Sequence, residues 1–366
     1  MKLINNTSSQ GTHTLKALTS PFLGFVINPN QIVLSLAGAA LFFTAISCKT
    51  PPIPVEEDRT SYSYERSSSS AEFNEIWGYI MIKNEDRFSM EFPLSDIGYF
   101  VKAVDTYSRL EDVPTKEEHF ADFTGRVHLV SSADSRAQTH LLLTQKEVRD
   151  QIIEDLINAS QTYDGLQIDW ELVPAIDKDA YLEFLTILKE KLGQKCLSVA
   201  VPARVKTLQA DAYDYEAINK IADRIIVMAY DEHWSTSEPG PIASNGWCKK
   251  IADYAKTIIP PEKLVMGLSF YGRAWSDDTE GKRAYTYDKL QKLKYDRNIT
   301  DKKILRSEEG IPYFTYEKPV MITVWFDDVK SNTERCRMYK ENGIQNISFW
   351  RVGQESMEFW DNIALK

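Results

Sequence analysis

Between Asp164 and Glu171 the chain reads Asp-Gly-Leu-Gln-Ile-Asp-Trp-Glu, setting an amide and two carboxylates at alternate positions of a short apolar run. In an extended strand successive side chains point to opposite faces, so Gln167, Asp169 and Glu171 share one face and Leu166, Ile168 and Trp170 the other. One face offers acid chemistry and the other packs. Neighbouring carboxylates shift each other's protonation, which suits general acid–base work. Glu171 falls at the carboxyl end of the strand, where parallel α/β barrels carry their sites.

Such a strand needs others beside it, and the sequence supplies eight candidates. They are Ile76 to Ile82, Ile97 to Val101, Arg126 to Ser131, Gly165 to Glu171, Leu197 to Pro202, Arg224 to Tyr230, Leu264 to Tyr271 and Ile344 to Trp350. Helical spacing separates several of them. Thr144 to Ser160 carries Val148, Ile152, Leu156 and Ala159 on one stripe with Thr144 as the expected cap, and Asp179 to Leu192 repeats the pattern. Arg87 to Pro93 and Leu110 to Phe120 make poor helices, so the first units are the least regular. Eight strands alternating with helices predict an α/β fold, a (β/α)8 TIM barrel.

Residues 164–171 resemble the signature of glycoside hydrolase family 18, the chitinase-like hydrolases, which reads Asp-Gly-x-Asp-x-Asp-Trp-Glu; Gln167 is the one departure. The resemblance extends over about Ile76 to Gly353. Gly78-Tyr79 is similar to the family's opening Gly-Tyr, Met228-Ala229-Tyr230-Asp231 to its Met-x-Tyr-Asp, Met266 to Trp275 to its Gly-x-Pro-Phe-Tyr-Gly-Arg run, and Trp350 to the tryptophan ending strand eight. The resemblance implies that Glu171 protonates the glycosidic oxygen, that Asp169 orients the substrate's N-acetyl group, and that Tyr230 hydrogen-bonds that group. It also implies that Tyr79, Gln167, Met228, Asp231, Tyr271, Arg273 and Trp350 line the substrate cleft. The third strand lacks the family's Ser-x-Gly-Gly and runs Leu129-Val130-Ser131-Ser132-Ala133-Asp134 instead.

Physics supports the same chemistry. Ordinary retaining glycosidases place two carboxylates about 5 Å apart on opposite sides of the sugar ring, which two residues on one strand face cannot do. A neighbouring-group mechanism follows, with the substrate's 2-acetamido oxygen as nucleophile. Burial and the charge of Asp169 are expected to raise the pKa of Glu171 above about 4.3. An amide at Gln167 cannot share a proton as a third Asp would, so Asp169 is expected to stay ionised throughout turnover.

Between Trp275 and a helix from Ser331 to Asn342 lie some 55 residues, more than a βα connection needs. Extended runs at Ile311 to Tyr316 and Val320 to Phe326, with a helical patch near Tyr287 to Tyr295, predict a small α+β insertion at about 276–330, between strand 7 and helix 7, walling one side of the cleft.

The chain has 366 residues, 43% of them apolar, and a net charge of −10. The first 47 residues hold two Lys and no acid, leaving 41 basic against 53 acidic residues in the rest. That balance excludes nucleic acid as a partner. The apolar run Ile32 to Ile46 suits a signal peptide rather than a spanning helix. It ends in Ala45-Ile46-Ser47-Cys48, which resembles a bacterial lipobox: residues 1–47 are read as a lipoprotein signal peptide and Cys48 as the lipidated residue. The 30 residues ahead of the run suggest that translation begins downstream of Met1. Residues 48–71, rich in Pro, Ser and acid, read as a flexible tether, and 72–366 as the catalytic barrel. Cys196, Cys248 and Cys336 show no metal spacing, nor do His128 and His233 align with a carboxylate set, so neither metal nor cofactor is expected. The expectation is a monomeric, exported hydrolase, lipid-anchored in the bacterial cell envelope and acting on an N-acetylglucosamine glycan. A non-catalytic lectin of the same fold is the alternative, and a structural or adhesion protein a third.

Overall fold

The computed structural model describes residues 69–366, apart from 106, 111, 134, 277–283 and 318–319. The signal peptide, Cys48 and nearly all of the tether lie outside the described residues. The barrel domain starts one residue before its expected boundary, because Ala71 already belongs to strand β1 (Ala71–Phe73), paired in parallel with the last strand, β15 (Ile363–Leu365). Among the described residues no helix is long and apolar enough to cross a membrane.

Eight parallel strands close into a barrel. They are β2 (Glu75–Met81), β3 (Asp96–Ala103), β4 (Arg126–Ala133), β5 (Gly165–Trp170), β6 (Cys196–Pro202), β7 (Arg224–Met228), β8 (Leu264–Ser269) and β14 (Asn346–Trp350), with β14 joining β2 to β8. The eight predicted runs all appear. Strand β5 shows why: its outward side chains Leu166, Ile168 and Trp170 are buried, with Trp170 stacked on Phe184 at a centroid distance of 4.4 Å. Each such burial contributes about 1.5–3 kcal/mol.

The helices are α1 (Glu117–Phe120), α2 (Arg136–Thr144), α3 (Lys146–Ala159), α4 (Lys178–Leu192), α5 (Tyr215–Asn219), α6 (Asn245–Ala255), α7 (Tyr287–Asp296) and α8 (Val329–Glu341). The expected cap at Thr144 is wrong. Thr144 ends α2, its hydroxyl donating back to the His140 carbonyl at 2.7 Å, and extended Gln145 separates α2 from α3 without a side-chain capping bond. As predicted, the first connections are poorly helical, a 3-10 turn at Glu85–Arg87 and the four-residue α1. Phenylalanine packing fills that flank instead, Phe88 meeting Phe92, Phe120 and Phe123 edge to face.

At the amino ends of the strands, Glu75 binds Arg126 and Arg224 at 2.6 Å each, and Asp96 binds Arg126 at 2.7 Å and His128 at 2.8 Å. His128 is fully buried and stacked on Trp77 at 4.3 Å, a packing role far from the catalytic end of the strands. Cys196, Cys248 and Cys336 are free thiols.

The insertion begins earlier than residue 276, because the chain leaves the barrel after Ser269 and pairs from Gly272 onward. Its strands are β9 (Gly272–Trp275), β10 (Ala284–Tyr285), β11 (Leu305–Arg306), β12 (Pro312–Glu317) and β13 (Met321–Trp325), in the antiparallel order β10-β9-β13-β12-β11. With α7 it encloses its own core of Ala274, Leu290, Ile299, Phe314, Ile322, Val324 and Phe326. Below it, buried Arg335 on α8 donates to Asp327 at 2.9 Å, and Asp327 also accepts from Ser269 at 3.0 Å and Ser331 at 2.9 Å, locking insertion, α8 and β8 together.

Candidate active site

Strand β5 delivers the acidic face as its alternation requires. Gln167 is buried in the barrel interior, Asp169 is half-buried near the strand end, and Glu171 stands exposed just beyond it. The Glu171 amide donates to the Ala133 carbonyl at 2.7 Å, so β4 fixes the acid's backbone although β4 lacks the expected glycines. On the reverse face Trp170 Nε1 donates to Ser131 Oγ at 3.1 Å, and Tyr213 donates to the Trp170 carbonyl at 2.7 Å while accepting from the Val173 amide at 3.0 Å. The motif is held from both sides.

Burial acts on Asp169 rather than on Glu171. Asp169 Oδ1 is sealed from solvent and has no hydrogen-bond partner among the described residues. Desolvation, with the neighbouring charge of Glu171 second, pushes the Asp169 carboxyl up to about 7. This corrects two expectations: Glu171 is exposed rather than buried, and Asp169 does not stay ionised across the neutral range. Gln167 does not relieve the buried carboxyl. Its amide turns to Tyr79, Nε2 donating at 2.9 Å and Oε1 accepting at 3.0 Å, and to Ser198 Oγ at 3.5 Å, so it gives Asp169 no donor. Tyr79 fits there because Gly98 has no side chain; a Cβ at that position would lie 2.4 Å from the ring.

Tyr230 and Asp231 follow β7. Tyr230 is half-buried, lies edge-on to Tyr271 at 6.4 Å, and needs the space left by Gly267, whose Cβ would come within 3.1 Å of the ring. Asp231 adopts the left-handed conformation (φ 58°), tolerable for Asp, and accepts from Tyr271 at 2.6 Å and Arg273 at 2.9 Å. Arg273 also lies over the Tyr271 ring at 5.7 Å. Trp350 ends β14 with its ring 5.7 Å from Tyr79 and 4.8 Å from Phe100. The insertion reaches this cluster: Trp275 packs with Tyr271 and Ile242, and Trp325, Tyr230 and Trp350 pack against them. Met228 ends β7 two residues before Tyr230 and lines, with Glu171, a cavity of about 340 Å³. The structure thus gathers Tyr79, Gln167, Tyr230, Asp231, Tyr271, Arg273 and Trp350 around the carboxyl ends of the strands, where Asp169 and Glu171 also lie.

A family model described as glycosyl hydrolases family 18 matches residues 118–355, well over half of the chain. The chain belongs to glycosyl hydrolases family 18. It is 29% identical over 233 residues to an uncharacterized glycosylase, YvbX, of Bacillus subtilis (strain 168), covering 61% of this chain and 67% of that protein. It is 27% identical over 235 residues to a cortical fragment-lytic enzyme of Bacillus anthracis, covering 61% and 54%. The chain therefore spans about half to two thirds of the length of these relatives. In fold it is similar to the spore cortex-lytic enzyme SleL of Bacillus cereus (TM-score 0.70, 24% identity, 81% of this chain and 76% of that one) and to a chitinase of Chromobacterium violaceum (TM-score 0.69, 20% identity, 79% and 97%).

Sequence reasoning missed the residues that hold the family 18 site from neighbouring strands. Ser131 and Ser198 reach the motif through the barrel's cross-strand register, and Tyr213 reaches it from the connection between β6 and α5. The change from apolar to polar at Ser131-Ser132, late in β4, was the available signal for Ser131. Arg136, Arg204 and Asp211, which line the cavity beside Glu171, sit in connections with no motif at all.

Proposed function

We propose that the chain is a retaining glycoside hydrolase that cleaves β-linked N-acetylglucosamine glycans, of the chitin-oligomer or peptidoglycan type, through the substrate's own acetamido group. The observation that carries this reading is the pair Asp169 and Glu171 on one strand face, one sheltered and one at the mouth, with Tyr230 on a neighbouring part of the rim. Glu171 donates its proton to the glycosidic oxygen as the bond from the anomeric carbon breaks. The acetamido carbonyl oxygen bonds that carbon from the opposite side, while Asp169 accepts the acetamido N–H and Tyr230 donates to the carbonyl. Water then opens the cyclic intermediate with Glu171 as base, which retains the anomeric configuration. Trp350 supplies a floor for the sugar; Asp231, held by Tyr271 and Arg273, borders it, as does Met228, and Tyr79 and Gln167 support it from below.

Relatives named for cortical fragments and for chitin support this substrate class. The apolar run Ile32 to Ile46 followed by Cys48 supports a reading of export and lipid attachment at the cell envelope, within reach of an immobile glycan, with the enzyme read as a monomer. Two experiments test these readings. Protein lacking residues 1–48 should release 4-methylumbelliferone from N-acetylglucosamine oligomers of one to three sugars, and Glu171→Gln should not; oligomer binding by both proteins without release would make it a lectin. Cys48→Ser should move the protein from the membrane fraction to the soluble one, and retention there would refute the anchor.

A further inference from the structure

The cavity beside Glu171 is lined by none of Tyr79, Tyr271 or Trp350. Its apolar wall combines four alanines with Trp170, Leu172, Tyr213 and Met228, and Leu172 is 51% exposed. Two cations reach it. Arg204 is neutralised by a two-pronged contact with Asp211 at 2.7 and 3.1 Å. Arg136 is exposed, and while its backbone carbonyl accepts from Thr139, its guanidinium has no hydrogen-bond or ion-pair partner among the described residues. Helix stability does not explain it: Arg136 opens α2, where the helix dipole disfavours a cation, and no acid in the first turn offsets it. In a chain of net charge −10, a guanidinium with no partner among the described residues thus stands on the wall that carries Glu171.

We propose that Arg136 reads a carboxylate on the leaving-group sugar. The bond cut then joins N-acetylglucosamine to an acetamido sugar bearing a 3-O-lactyl acid, the muramic type, rather than to a second neutral N-acetylglucosamine. The inference rests on the hydrolase reading above and narrows its substrate. A sugar that accepts the proton from Glu171 must leave on the side of that carboxyl. The volume of about 340 Å³ is that of a small-ligand pocket. The apolar lining suits the lactyl methyl and the sugar's faces, and a guanidinium matches a carboxylate with paired N–H donors. Arg136 selects; it takes no part in the bond-breaking step.

The test compares three tetrasaccharides on the full-length protein in detergent: alternating N-acetylglucosamine and N-acetylmuramic acid, the same compound with its lactyl groups as methyl esters, and chitotetraose. Wild type should favour the free acid, and that preference should shrink as salt rises to about 0.5 M. Arg136→Gln should lower kcat/KM on the free acid about fivefold, the order expected of one partly exposed ion pair, and leave the ester and chitotetraose unchanged. Arg136→Lys should recover part of the loss. Equal loss on all three substrates would assign Arg136 a structural role and overturn the proposal, as would cleavage of the free acid by Arg136→Gln at the wild-type rate. Hydrolysis of chitotetraose with no response to charge would sink the proposal and leave the hydrolase reading standing. Failure to cut any of the three would sink both.

Discussion

Replacing Asp169 by Asn keeps the shape of the side chain and removes its titration, and the structure sets how stability must then vary with pH. Burial raises the Asp169 carboxyl from its ordinary 3.8 to about 7. That gap corresponds to about 4 kcal/mol. The sign follows from proton binding: between 3.8 and about 7 the unfolded chain releases this proton while the folded chain keeps it, so wild-type stability falls as pH rises through that window. By pH 5 less than half of that loss has appeared, and by pH 8 it is essentially complete. The amide of Asp169→Asn carries no such loss, although its burial adds an offset that does not depend on pH. The quantity to measure is therefore the difference between Asp169→Asn and wild type in urea denaturation at pH 5, 6, 7 and 8. It should grow in favour of the variant by about 2–3 kcal/mol across the series. Parallel curves would refute the claim that Asp169 is desolvated without a partner.

Three further perturbations probe the surroundings. In Glu171→Gln, carbon NMR of the Asp169 carboxyl should show its pKa lower than in wild type but still above 3.8, because desolvation outranks the Glu171 charge as the cause. Gln167→Asp should change the pH–rate profile, since it adds a second acid to the buried ladder and removes the amide donor from Tyr79; an unchanged profile and kcat would show that proton sharing at this position is irrelevant. Arg335→Met should destabilise by about 3–5 kcal/mol in thermal or urea unfolding, because it strands the Asp327 carboxylate in the core beneath the insertion.

Much of the barrel was legible because its strands are short apolar runs with helical stretches between them, and each run came out within a residue or two of its limits. Thr144 misled because a capping residue type also ends helices, and only the extended backbone at Gln145 shows that two helices meet there. The insertion was visible as excess length, yet its start at Gly272 depends on β9 pairing with β13, a contact across some 50 residues. At the site, alternation along β5 told which residues share a face and could not tell how deeply each is covered. Asp169 is half-buried with one carboxyl oxygen sealed, and Glu171 is open, because the strand ends between them. The direction in which Gln167 turns is set by Tyr79 and Ser198 on other strands, beyond what spacing within one motif encodes.

In the proposed reaction the substrate's acetamido oxygen, not a second enzyme carboxylate, attacks the anomeric carbon. The direct measurement is kcat/KM for aryl N-acylglucosaminides in which the acetyl group is replaced stepwise by mono-, di- and trifluoroacetyl, with Glu171→Gln as the control for the proton donor. Each fluorine weakens the carbonyl oxygen as a nucleophile, so the account predicts a steep and continuous fall across the series. A flat series would contradict it and require a nucleophile supplied by the protein.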